Sequence, residues 1–112
     1  MAALTAVTPV RTGTTTSGSA VSSSDTISTS VLGSYGAFLE IINGNASSDT
    51  VVISDATVTP SGAAATANSQ TVGASASKIF KITPVMADPT SGLVTVTHSV
   101  TSTVTYKLYP LG

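Results

Sequence analysis

The chain has no cysteine and no tryptophan, only two phenylalanines and three tyrosines, and few charges. Without cysteine, no disulfide staples the fold, and the redox compartment is not legible. Charged residues make up 8% of the 112 residues, against roughly 25% in ordinary soluble domains. Four basic and five acidic residues leave a formal net charge of −1, with no basic stripe to neutralise phosphates, so direct nucleic-acid binding is not expected. No apolar run approaches the roughly 20 residues of a membrane-spanning helix, and the opening MAALTAVTPVRTG lacks the basic and apolar regions of a secretory signal. A soluble, cytoplasmically made chain without partners in nucleic acid or membrane is expected.

Serine and threonine fill about a third of the sequence, and valine and isoleucine are plentiful. β-Branched side chains favour a pleated, half-buried backbone, so the class is all-β. Such a neutral surface has little charge repulsion to keep copies apart, which favours packing into an assembly.

The strongest local pattern is Gly36 to Asp55, GAFLEIINGNASSDTVVISD. Leu39 and Ile41 share one face of a strand, with Phe38, Glu40 and Ile42 on the other. Val51 and Ile53 alternate with Val52 and Ser54 in a second strand. Asn43-Gly44-Asn45-Ala46-Ser47-Ser48 is rich in turn formers, so the stretch reads as a β-hairpin.

Residues 1–24 form a low-complexity arm with a single charge at Arg11 and the run Thr14-Thr15-Thr16-Ser17; it buries little by itself. Two readings stand, a frayed terminus or an extended arm ordered against a neighbouring subunit. From Asp25 to Leu32 a short strand is expected. Thr57–Thr59 extends or re-pairs the sheet, and the alanine-rich run Ala63–Ala67 reads as loop. Ser77 to Thr83 is a strand with Lys78, Phe80 and Ile82 on one face. Val94, Val96, His98 and Val100 alternate with Thr95, Thr97 and Ser99, and Val104, Tyr106 and Leu108 line a last strand. Six or seven short strands over residues 25–112 predict a small antiparallel β-sandwich or partly closed barrel, carrying residues 1–24 as an extended N-terminal arm.

Catalytic signals are thin. His98 is the single histidine, and a zinc site wants three or four ligands; a packed, hydrogen-bonded ring is the expectation. The acids Asp25, Glu40, Asp49, Asp55 and Asp88 stand apart, with Asp49, Asp55 and Asp88 reading as turn or strand-end residues. No G-x-S-x-G elbow or phosphate-binding glycine pattern occurs. Asn45-Ala46-Ser47 fits the glycosylation sequon but reads as a turn without an export signal. No enzyme, metal or cofactor is expected.

IINGNASSDTVVI resembles the hairpin V-x-N-G-(small)-V-T-I of small head-decoration (minor capsid) proteins of tailed phages that infect actinobacteria. FKITPVMADPTSGLVTVTHSVTSTVTYKLYPL resembles their ending, and the Thr/Pro/Ala-rich opening is similar. The chain departs from that pattern between the hairpin and Lys78, where Ala63 to Ala76 replaces a longer aromatic and charged loop. The resemblance implies a structural virion protein on the outer capsid surface, made in the host cytoplasm. Its partners would be the major capsid protein and its own copies, as a homo-oligomer with a trimer favoured. Contacts to capsid or neighbours are then expected at Leu4, Val7, Pro9, Val10, Arg11, Tyr35 and Tyr109. The alternative is a glycan- or cell-surface-binding β-sandwich of a phage tail or adhesin, for which Tyr35 and Tyr109 are the candidate aromatics.

Overall fold

The computed structural model of the chain describes residues 2–14, 18–58, 60–63 and 66–111. Its strands are β1 (Ala2–Ala3), β2 (Ser19–Ala20), β3 (Ser24–Ser28), β4 (Ala37–Asn43), β5 (Asp49–Ile53), β6 (Asn68–Val72), β7 (Ala76–Ile82), β8 (Leu93–His98) and β9 (Val104–Pro110). One helical turn, α1 (Thr29–Leu32), and a 3₁₀ turn at Pro84–Met86 complete the elements.

Two sheets pack face to face as a sandwich, without barrel closure. The first has the order β1-β3-β8-β5-β6 and the second β2-β9-β4-β7. All pairings are antiparallel except the two-residue β1–β3 contact. The alternation read from the sequence sets the inner faces. Ile27, Val51, Ile53, Val72, Val94 and Val96 come from the first sheet, and Leu39, Ile41, Phe80, Ile82, Val104 and Leu108 from the second, all buried. Such period-2 burial is what one covered face per sheet demands.

The Gly36–Asp55 hairpin is not a hairpin. β4 pairs with β7 and β9, whereas β5 pairs with β6 and β8 in the opposite sheet. The connector is an arch between layers, and Asn43 holds it. This residue is buried, and its amide Nδ2 donates to the carbonyls of Ser47 (2.9 Å), Val72 (3.1 Å) and Gly73 (3.3 Å) while Oδ1 accepts from Asn45 N–H (2.9 Å). Those bonds tie the end of β4 to the end of β6 across the sandwich. A buried amide with its donors and acceptor satisfied favours this crossing over a local turn.

The Asp25–Leu32 strand is also shorter than expected. After Ser28 the backbone coils into α1, which carries Leu32 into the core. β6 carries no sequence signal, because four of its five residues are exposed and only Val72 is buried. Thr59, at the end of the Thr57–Thr59 extension, lies outside the described residues, as do Ala64 and Ala65 of the alanine run and Thr15, Thr16 and Ser17 of the arm.

The arm lies along its own sandwich. Leu4 N–H donates to Thr26 O (2.8 Å) beside the first sheet, Val7 N–H to Leu108 O (2.8 Å) in the second, and Val21 N–H to Val104 O (3.2 Å). Leu4 and Val21 join the core. With β1 on β3 and β2 on β9, the arm bridges one flank of the sandwich. The opposite flank is formed by β6 and β7, joined through Gly73–Ser75.

Candidate interaction surface

The outer face of the second sheet is built by register. Its rows are Tyr109–Phe38–Lys81, Lys107–Glu40–Ile79 and Thr105–Ile42–Ser77. Each row places cross-strand neighbours within contact range on one face. Phe38 is 41% exposed and Ile79 64%, so an apolar strip runs diagonally over the sheet, with Lys81 and Lys107 at its sides and Glu40 between. Lys78, in register with Ile41, belongs to the inner face but remains exposed at the open edge of β7.

At one end of the sandwich the segments 56–58 and 84–92 and the start of α1 enclose an open groove of about 670 Å³. Its walls are pinned by Ala56 N–H to Met86 O (3.1 Å), Thr29 N–H to Gly92 O (3.0 Å) and Asp88 N–H to Leu93 O (3.0 Å). Val58, Val85 and Asp88 line it and are exposed, and no cation is among its lining residues. Asp55 precedes this segment, where its carboxylate accepts from Thr57 N–H (2.9 Å) and the Thr57 hydroxyl (2.6 Å).

His98 is not on any surface. Its register partner is Val51, so Asp49 stands two residues along β5 on the same inner face. His98 Nδ1 and Asp49 Oδ2 are 2.7 Å apart, with both side chains essentially fully buried. The other Asp49 oxygen accepts from Ser99 N–H (3.0 Å) and Val100 N–H (3.2 Å). A carboxylate oxygen accepts, so Nδ1 is the donor to Asp49; Nε2 is buried without a hydrogen-bond partner among the described residues. The acids are therefore not all isolated. Asp49 is the first residue of a strand, as its position suggested, but its carboxylate points inward to the histidine. Asp25 is buried too and accepts from Ser22 N–H (3.0 Å) and the Ser22 hydroxyl.

Among the described residues no three of His, Cys, Asp or Glu gather as a metal site requires, and no helix is long and apolar enough to cross a membrane. The glycosylation-like triplet is a turn: Asn45 Nδ2 donates to Ser102 O (2.9 Å), and Asn45 Oδ1 accepts from Ser47 N–H (2.9 Å).

The contact residues expected from the sequence scatter. Leu4, at 6% exposure, is part of the chain's own core and offers nothing to a neighbour. Val7 is half-buried; Pro9, Val10 and Arg11 are exposed on the arm. Tyr35 is 69% exposed, and Tyr109 is half-buried in the row with Phe38. Phe38, Ile79, Val58 and Val85 were not singled out. The outward position of Phe38 and Ile79 was readable from alternation. Their exposure depended on nothing else covering that face. Comparison with protein-family models, with curated proteins and with solved structures found no match.

Proposed function

We propose that this chain is a structural protein that decorates the outside of a phage capsid, binding major capsid subunits and its own copies. The observation that carries the reading is the division of labour in the side chains. The histidine and two of the five acids are committed to the interior, while Phe38, Ile79, Val58 and Val85 are left outside. Apolar side chains left exposed beside lysines suit a protein whose surface is completed by contact. The resemblance of the sequences IINGNASSDTVVI, here an arch between sheets rather than a hairpin, and FKITPVMADPTSGLVTVTHSVTSTVTYKLYPL to head-decoration proteins supports the same reading, as does the low charge. Contacts repeated over a shell add through multivalency, so a small body with modest individual contacts suffices.

The test is copy number per particle, by quantitative mass spectrometry on virions purified from the source. A fixed, high ratio to the major shell protein is the expected result. A handful of copies would place the protein at a tail or vertex, and absence from the particle would overturn the proposal.

A further inference from the structure

We propose that copies of this chain associate head to tail, the outer face of the second sheet in one copy seating on the end groove of the next. This deepens the assembly reading above and takes its biological setting from it, but the contact is a property of the chain alone.

The argument rests on how charge and apolar surface are distributed. Two of the four cationic side chains, Lys81 and Lys107, stand on the outer face of the second sheet, with Glu40 as the sole acid there, while Lys78 lies on the inner side at the edge of β7. Of the four remaining acids, Asp25 and Asp49 are buried, which leaves Asp55 and Asp88, both at the groove end. Each region also carries a pair of exposed aliphatic or aromatic side chains: Phe38 and Ile79 on the face, Val58 and Val85 at the groove. A face-to-face pair would oppose two surfaces of net positive charge, and a groove-to-groove pair would oppose carboxylates to carboxylates. The face-to-groove contact joins surfaces of opposite net charge over apolar centres, the arrangement that steers and registers an interface. Because the two patches differ, the contact is heterologous and repeats from copy to copy, closing into a ring or extending as a chain according to its rotation.

Strand addition at the open flank is the competing route. It is opposed by Lys78 and Lys81 on β7, since charges on an edge strand, above all inward-pointing ones, disfavour pairing with another chain.

Sedimentation velocity on the purified full-length chain over rising concentration, at low and high salt, tests the contact. The weight-average sedimentation coefficient should rise with concentration and fall on adding salt, as screening predicts. Ile79→Glu and Val85→Lys alter exposed side chains on the two halves. Each alone should weaken association on the order of tenfold or more. An equimolar mixture of the two should recover it, because the new glutamate then meets the new lysine. Should either variant lose its native circular dichroism, Lys81→Glu and Val58→Lys read the same two surfaces. A wild-type chain that stays monomeric at every concentration would overturn the proposal. So would Val85→Lys associating like wild type, which would indicate a face-to-face dimer, or a mixture that fails to recover. None of these outcomes depends on whether the protein is found in virions.

Discussion

Replacing Asp49 by alanine removes the acceptor of His98 Nδ1 and of Val100 N–H, and one of the two acceptors of Ser99 N–H, which also donates to Thr50 O (3.2 Å). The Asp49 and His98 side chains are fully buried, so water does not readily replace the lost carboxylate at Nδ1. Leaving a buried donor without its acceptor costs about 1–3 kcal/mol per group, so the variant should lose about 2–5 kcal/mol. A domain of this size is stabilised by only about 5–15 kcal/mol in total, so that loss is a large share of its stability. His98→Leu should cost less, about 1–3 kcal/mol, because Asp49 keeps its two backbone donors and only one bond is lost. The double variant should not return to wild-type stability, because Val100 N–H still lacks an acceptor and Ser99 N–H keeps only its bond to Thr50 O (3.2 Å). Urea titrations followed by circular dichroism would measure the three variants, with an unchanged slope m confirming that the midpoint shift reports stability. The ranking is the decisive point. A loss under about 1 kcal/mol for Asp49→Ala, or a larger loss for His98→Leu than for Asp49→Ala, would refute the buried-acceptor reasoning.

Two further substitutions test the frame. Gly36 has φ +87°, and a Cβ there would collide with the carbonyl oxygen of Ile82, so Gly36→Ala should cost about 2–4 kcal/mol in the same titration; a loss below about 1 kcal/mol would contradict the backbone path into β4. Leu4→Ala should cost about 2–5 kcal/mol as a core truncation. Val10→Ala, 59% exposed on the same arm, should stay within about 0.5 kcal/mol. Equal small effects at both positions would mean that the arm does not dock on its own sandwich.

Alternation carried most of the fold into view. Leu39 and Ile41, Phe80 and Ile82, Val94 and Val96, and Val104, Tyr106 and Leu108 all face inward as their spacing implied. Alternation tells which face of a strand is covered, but not which strand lies beside it. The partners of β4 and β5 hang on Asn43, whose amide reaches β6 some thirty residues away, and no local pattern records such a bond. In α1, Thr29 and Val31 are β-branched, so propensity favours extended backbone; burial of Leu32 overrides it. The His98–Asp49 pair is forty-nine residues apart and became readable only once the β5–β8 register put Val51 opposite His98. The interaction surface was hidden for a related reason. Tyr35 and Tyr109 drew attention as aromatics, whereas Ile79 reads as any strand isoleucine until the sheet edge beside it is known to be open.

The two flanks of the sandwich explain why side chains rather than backbone carry the contact in the assembly proposed for this chain. On one flank the arm supplies β1 and β2, so β3 and β9 are not fully bare edges, and Leu4 and Val21 are drawn into the core as a consequence. On the other flank β7 presents seven residues of strand with no outer partner among the described residues. An uncovered strand of that length would template addition of another chain if it were uncharged. Lys78 stands in register with Ile41 on the inner face, so a strand added beside β7 would crowd its ammonium against the rim of the core. The lysine that protects the edge therefore leaves the sheet face, where Phe38 and Ile79 are exposed beside Lys81 and Glu40, as the surface for the proposed association.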